Sequence, residues 1–255
     1  MPHKIARYGW IRDLPDPRDV FLAAPPAEQV AKFPAMIDLR ANCPAPYDQG
    51  NLGSCTANAI AGAIEFQLMK EALSYNFTPS RLFIYYNERA IRGTIPYDSG
   101  AALREGIQAV SNNGYPPESV WPYDESQFAT TPSPEAESQA TGHKVFQSFC
   151  LNQTLDHLRG TLADGEPFVF GMTIFESFES PEVASSGQIP MPGSNEQTIG
   201  GHAMMGVGYD DEGQFFWVRN SWGDAWGIGG YCQLPYAYLT NPQLAADFWT
   251  IRTVD

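Results

Sequence analysis

The stretch Gln49-Gly50-Asn51-Leu52-Gly53-Ser54-Cys55 sets a cysteine just past a glycine-broken turn, at the expected start of a helix. A thiol there meets helix-terminal N–H groups that favour its anion, and only the thiolate attacks. Far downstream lie Gly200-Gly201-His202-Ala203 and Arg219-Asn220-Ser221-Trp222-Gly223. His202 supplies a base for the thiol and later an acid for a leaving group. The side-chain oxygen of Asn220 fixes the imidazole's tautomer, and Trp222 shields that bond from water. When a thiolate adds to a carbonyl, the oxygen becomes an anion. The Cys55 backbone N–H and the Gln49 amide, six residues upstream, are donors suited to it. Together the three segments describe acyl transfer through a thioester, and two lobes sharing one cleft would bring them together.

Each residue alone has a plainer reading. A cysteine opening a helix is commonly buried structure, and Gln49 could satisfy a loop carbonyl. His202, beside two glycines and two methionines, could be a core histidine, and Asn220 to Gly223 could merely close a strand. Four cysteines and four histidines also raise zinc, but His143, Cys150 and His157 are evenly spaced with no Cys-x-x-Cys pair, so no metal is expected. No cofactor motif is present either, since Gly200-Gly201 and Gly229-Gly230 fit neither phosphate-loop pattern.

The chain of 255 residues can bury a sizeable core, and its formal charge of −14 comes without any Lys/Arg run. Nucleic acid and anionic membrane surfaces are therefore poor partners. The start, Met1 to Tyr8, lacks an apolar segment of signal-peptide length, so the expectation is a cytoplasmic protein or one exported by another route. If Cys55 is the nucleophile, Cys43, Cys150 and Cys232 remain, enough for one disulfide with one thiol left over. The two sequons at Asn76 and Asn152 are read as chance.

Residues 1–33 form a proline-rich arm, expected to be extended, with Tyr8, Trp10 and Phe21 packing on the body as a permanent element. A removable segment would instead lie through the cleft. From Ser54, read as a cap, Ile60, Ile64 and Leu68 recur at four-residue spacing with Ala57, Ala61 and Gly62, which predicts a central helix buried on several sides. Thr78-Pro79-Ser80 opens a second helix with proline in its first turn, and a third runs from about Gly100 to Gly114. Residues 130–137 read as a surface connection, followed by a short helix around Leu155 to Leu162. Strands are expected at 168–174, 202–209, 214–219, 230–234 and 248–254, with a hairpin at Asp210-Asp211-Glu212-Gly213. A helical first half (about 34–135) and an antiparallel second half (about 140–255) give an α+β fold.

These residues resemble the papain-like cysteine peptidase family from about Pro34 to the end. Against its Cys-Gly-Ser/Ala-Cys-Trp/Tyr pattern the chain reads Leu52-Gly53-Ser54-Cys55-Thr56. The family's glutamine matches Gln49, its His-Ala step matches His202-Ala203 followed by Gly206-Val207-Gly208-Tyr209, and its Asn-Ser-Trp-Gly run matches Asn220 to Gly223. Trp226-Gly227 and Gly230-Tyr231 continue the likeness. The resemblance implies a two-lobe fold, with a helical left lobe and a β-barrel-like right lobe on either side of the active-site cleft. It further implies hydrolysis of peptide or protein substrates, admits a proteinaceous inhibitor as a partner, and leaves the oligomeric state open. It carries the catalytic roles onto Cys55, His202, Asn220 and Gln49, with Trp222 in support. Backbone pairing with an extended substrate falls on Ser99, Gly100 and Gly201. Leu52 removes a cysteine that many relatives use in a disulfide, Thr56 replaces the usual aromatic, and the arm is too short for the family's helical propeptide. Transfer to an amine or exopeptidase trimming with the same residues, and a catalytically silent binding protein, are the competing functions.

Overall fold

The computed structural model describes residues 8–71 and 76–254. After the arm, which includes the single turn α1 (Ala27–Val30), come β1 (Met36–Asp38), α2 (Cys55–Lys70), α3 (Arg81–Arg92), α4 (Leu103–Asn112) and α5 (Pro134–Ala140). The second half holds β2 (Val145–Cys150), α6 (Leu155–Ala163), β3 (Phe168–Phe175), α7 (Pro181–Ser186), β4 (Thr198–Asp210), β5 (Phe215–Arg219), β6 (Tyr231–Pro235), α8 (Tyr236–Leu239) and β7 (Ala245–Val254). The seven strands form one antiparallel sheet in the order β2-β7-β3-β4-β5-β6, with β1 added on β4. The expected barrel-like lobe is thus an open sheet, bounded by β2 and β6 on the main path. The fold is the α+β two-lobe arrangement.

Helix α2 is central because its sequence permits burial all round. Ile60, Ile64 and Leu68 have no exposure, nor do Ala57 and Ala61. A Cβ at Gly62 would stand 2.7 Å from Arg219 Nη1, so the missing side chain lets β5 approach. Arg219 donates to the carbonyls of Pro44 and Ala45 and lies 4.3 Å over the Tyr47 ring, so its buried charge is compensated. A second core of Phe168, Phe170, Phe216, Phe248 and Trp226 fills the far side of the sheet.

Several local expectations need correction. Ser54 occupies the N-cap position of α2, yet its hydroxyl bonds the Tyr123 hydroxyl and accepts from Asn58 Nδ2, so tertiary partners outcompete the cap. Pro79 precedes α3 instead of entering its first turn, and Ser80 is the cap, accepting from Phe83 N–H. Residues 130–137 are not merely a connection. Ser133 caps α5, Pro134 starts it, and Ala136 and Ala140 bury against Phe83. Strands β1 and β2 were not anticipated. All four cysteines are free, so no disulfide uses Cys43, Cys150 or Cys232.

Candidate active site

The loop before α2 is held from several directions. Gly53 N–H donates to both oxygens of Asp98 at 3.0 and 3.1 Å, and Asn51 N–H donates to Glu125 at 3.0 Å. Tyr123 donates to the Gln49 carbonyl at 2.8 Å. Arg81, ion-paired with Glu118 at 2.6 Å, donates to the Asp48 carbonyl and to Asn58. This clamp sets Cys55 as the first residue of α2.

Across from it, β3–β4 pairing sets His202 opposite Met172, and β4–β5 pairing sets Met205 opposite Arg219. Asn220, just past the end of β5, therefore reaches His202. His202 Nε2 lies 2.8 Å from Asn220 Oδ1, which also accepts the Ser221 N–H at 2.8 Å. An oxygen accepting both bonds requires the imidazole to carry its proton on Nε2, leaving Nδ1 as the basic nitrogen. Trp222 lies 5.2 Å from His202, centroid to centroid, and Phe178 stands on edge to both rings. Gln49 accepts from Ser221 Oγ at 2.6 Å and donates one amide hydrogen to the Leu52 carbonyl at 2.9 Å. Cys55, Gln49 and His202 have no exposed surface, and Asn220 has almost none. The backbone N–H groups of Ala203, Gly9 and Thr56 lie near the Cys55 sulfur and favour its anion. The structure thus brings Cys55, His202, Asn220, Gln49 and Trp222 into one site.

The presence of Gly9 among those donors is the main surprise. The arm packs on the body as anticipated for Tyr8 and Trp10, but it does so through the cleft. Trp10 N–H donates to the Gly201 carbonyl and Ile11 N–H to the Ala101 carbonyl, while Ala101 N–H donates to the Gly9 carbonyl, all at 2.9 Å. A parallel bridge between Trp10 and Ala101 results. Tyr8 stands edge-on to His202 at 5.9 Å, and its hydroxyl donates to Glu179 at 2.6 Å. Gly9 fits so closely that a Cβ would fall 1.7 Å from the Gly53 carbonyl oxygen. Phe21, by contrast, remains largely exposed. Burial pushes the Cys55 thiol up to about 12, against the pull of the three N–H groups.

Of the expected backbone-pairing residues, Gly201 and Gly100 face the arm; Gly100 has φ +71°, and a Cβ on it would meet the Gly9 oxygen at 2.0 Å. Ser99 instead bonds Thr94 and the Gly100 carbonyl. The paired residue is Ala101, one position further on. Sequence reasoning missed Ala101, the loop clamp Asp98 and two cleft carboxylates, Glu179 and Asp247. Only Asp98 carried a signal, through its place beside Ser99-Gly100. Among the described residues no cluster of three or more metal-ligating side chains occurs, and no helix is long and apolar enough to cross a membrane.

A cysteine opening a helix and an asparagine-paired histidine on a strand, at the junction of a helical and a sheet lobe, are the features to set beside known cysteine peptidases. Residues 33–241 match the family described as papain family cysteine protease. The chain is 41% identical to an uncharacterized peptidase C1-like protein of Acanthamoeba polyphaga mimivirus, over 97% of this chain and 87% of that one. Xylellain, a cysteine protease from Xylella fastidiosa, superposes with a TM-score of 0.92 at 41% identity, covering 99% of this chain and 98% of that one. Chymopapain from Carica papaya is 28% identical over 81% of this chain, which spans only 56% of that relative's length. The chain belongs to the papain family of cysteine proteases.

Proposed function

We propose that the protein hydrolyses peptide bonds through Cys55 as nucleophile, His202 as base and then acid, and Asn220 as the group orienting His202. In this reading His202 Nδ1 takes the thiol proton and Cys55 Sγ attacks the peptide carbonyl. The oxyanion is received by the Cys55 backbone N–H and the remaining Nε2 hydrogen of Gln49. The amine departs with the proton from His202, and water hydrolyses the thioester. The observation that carries the reading is the pairing of His202 Nε2 with Asn220 Oδ1, because it orients the other nitrogen for proton transfer.

The arm must leave first. With Gly9 over the sulfur and Tyr8 over His202, no peptide reaches the thiol, and burial keeps it protonated. We therefore read residues 1–33 as a latch that is displaced or removed on activation, in place of a permanent element. Gly9→Val in the full chain should expel it, since a β-carbon at residue 9 collides with the Gly53 backbone.

Wild type, Gly9→Val and Gly9→Val/Cys55→Ala are compared on a peptide library, with products identified by mass. Cleavage by Gly9→Val alone is expected. Turnover by the Cys55→Ala form would refute the nucleophile, and no turnover by Gly9→Val would favour the silent binding protein. Amine adducts among the products would mark acyl transfer. N-terminal sequencing of active wild type separates removal of the arm from displacement.

A further inference from the structure

The first turn of α2 carries no side-chain cap, because the Ser54 hydroxyl is taken by Tyr123 and Asn58. The opening N–H groups of a helix lack partners within it. In the proposed chemistry they are wanted elsewhere: Cys55 N–H receives the oxyanion, and Thr56 N–H lies near the sulfur and favours its anion. A cap would compete for such donors. The turn is gripped through a side chain instead. Thr56 Oγ1 donates to Glu88 Oε2 of α3 at 2.8 Å, and neither residue has any exposed surface.

The fold makes room for that carboxyl. A Cβ at Gly106 of α4 would stand 2.4 Å from Glu88 Oε1 and 2.2 Å from Ile60 Cδ1, so the missing side chain leaves space for both. Oε1 has no hydrogen-bond partner among the described residues. The charged groups acting on Glu88 are Glu105 of α4 and Arg89 and Arg92 of its own helix. Arg89 is spent on the carbonyls of Tyr85, Ile95 and Phe128, and Arg92 donates to Glu105. A carboxylate there would have one hydrogen bond and no paired cation, so burial pushes the Glu88 carboxyl well above its usual range and keeps it neutral. Neutrality suits the site, since a negative Glu88 would oppose a thiolate at Cys55.

We propose that Glu88, acting through the Thr56 hydroxyl, is a positioning residue that sets the first turn of α2 and with it the N–H groups serving the nucleophile. The proposal rests on the peptidase reading above. Thr56 stands where the family usually carries an aromatic, and its hydroxyl is what lets a carboxyl on α3 hold this turn.

The test uses the full-chain Gly9→Val form, with Trp10→Ala as a second arm-releasing form should the first fail to fold. Two readouts are taken: kcat and KM on a cleaved peptide, and the pH midpoint of Cys55 alkylation, which needs no turnover. Thr56→Val keeps the shape of the side chain and removes the hydroxyl; Thr56→Ala takes its place should it not fold. Either should lower kcat about ten-fold or more with KM little changed, and raise the alkylation midpoint by about half a pH unit or more. Glu88→Gln, a neutral acceptor, and Thr56→Ser, which keeps the hydroxyl, should hold kcat within about three-fold of the parent. Thr56→Val/Glu88→Leu removes both polar partners and should recover thermal stability while kcat stays low. Recovery of kcat along with stability would mean that the pair only packs, and would overturn the positioning role. An unmoved midpoint in Thr56→Val, or a Glu88→Gln form as impaired as Thr56→Val, would overturn it too. No cleavage by either arm-released form, with the midpoint still shifted by Thr56→Val, would refute the peptidase reading and leave the anchor standing.

Discussion

The arm's grip should weaken as pH rises, because one buried carboxyl on it, Asp13, is docked against another on the body. Its side chain is 5% exposed. Around it stand Asp247 and the Trp249 side chain from β7, Arg104 from α4 at 3.9 Å, and Asp19 and Arg12 from the arm. Arg104 is already committed to Asp19, through Nε at 2.9 Å and Nη2 at 2.7 Å. Burial and the facing Asp247 therefore raise the Asp13 carboxyl from 3.8 to about 7. The docked arm holds a proton that the free arm releases, so docking is strongest below 3.8 and is lost as pH rises to about 7. Across that window the loss totals roughly 4 kcal/mol at most, about ten-fold in the docking equilibrium per pH unit. Above it no further change comes from this group. Asp13→Asn is neutral at every pH and keeps a donor towards Asp247, so its arm should stay docked throughout. Alkylation of Cys55 by an uncharged reagent measures arm release, and the ratio of wild type to Asp13→Asn cancels the thiol's own pH dependence. That ratio should climb at least ten-fold between about pH 5 and 7. A flat ratio, or one that falls, would refute the argument.

Two further outcomes concern the site with the arm released by Gly9→Val. Gln49→Ala should lower kcat by about 100- to 1,000-fold, the usual cost of one oxyanion donor, while Cys55 still alkylates at its normal rate. Asn220→Ala should lower kcat on the order of 100-fold with KM little changed, because an unoriented imidazole still occupies the site; a KM effect alone would argue that Asn220 shapes the cleft instead.

How much of this was legible in the chain depended on whether chemistry or packing made the choice. Cys55, His202 and Asn220 could be singled out because the proposed chemistry admits few residue types in each role, and their surroundings repeat a family pattern. Strands β3 to β7 and helix α2 could be read because apolar periodicity reports burial directly, as at Ile60, Ile64 and Leu68. Helix α5 was overlooked although Ser133-Pro134 is a good start signal, since its buried face is only Ala136 and Ala140. Ser54 looked like a cap because a cap is local; Tyr123, far along the chain, took the hydroxyl instead. Asp247 was illegible in principle. A lone aspartate on a strand acquires meaning only through Trp10, more than two hundred residues away.

The path of the arm was hidden for a related reason, and it bears on how the enzyme could be turned on. Prolines announced an extended segment, but an extended segment can lie anywhere on a surface. Its place is decided by clearances spread over the fold: Gly53 and Gly100 against Gly9, Gly200 against Tyr8, and Gly171 and Gly201 against Trp10. The arm thus uses the backbone clearances and the asparagine-paired histidine face that a substrate peptide would need. A tethered occupant competes at an effective concentration of order millimolar or higher, so a free peptide at ordinary levels would not displace it unaided. Under the proposed latch, activation would act on the anchors outside the reacting centre, the Asp13–Asp247 contact and the Arg104–Asp19 pair among them. Loosening those lowers the tether's advantage without altering Cys55, His202 or Asn220. For that reason the pH dependence of arm release and the turnover of the released enzyme should be separable by mutation.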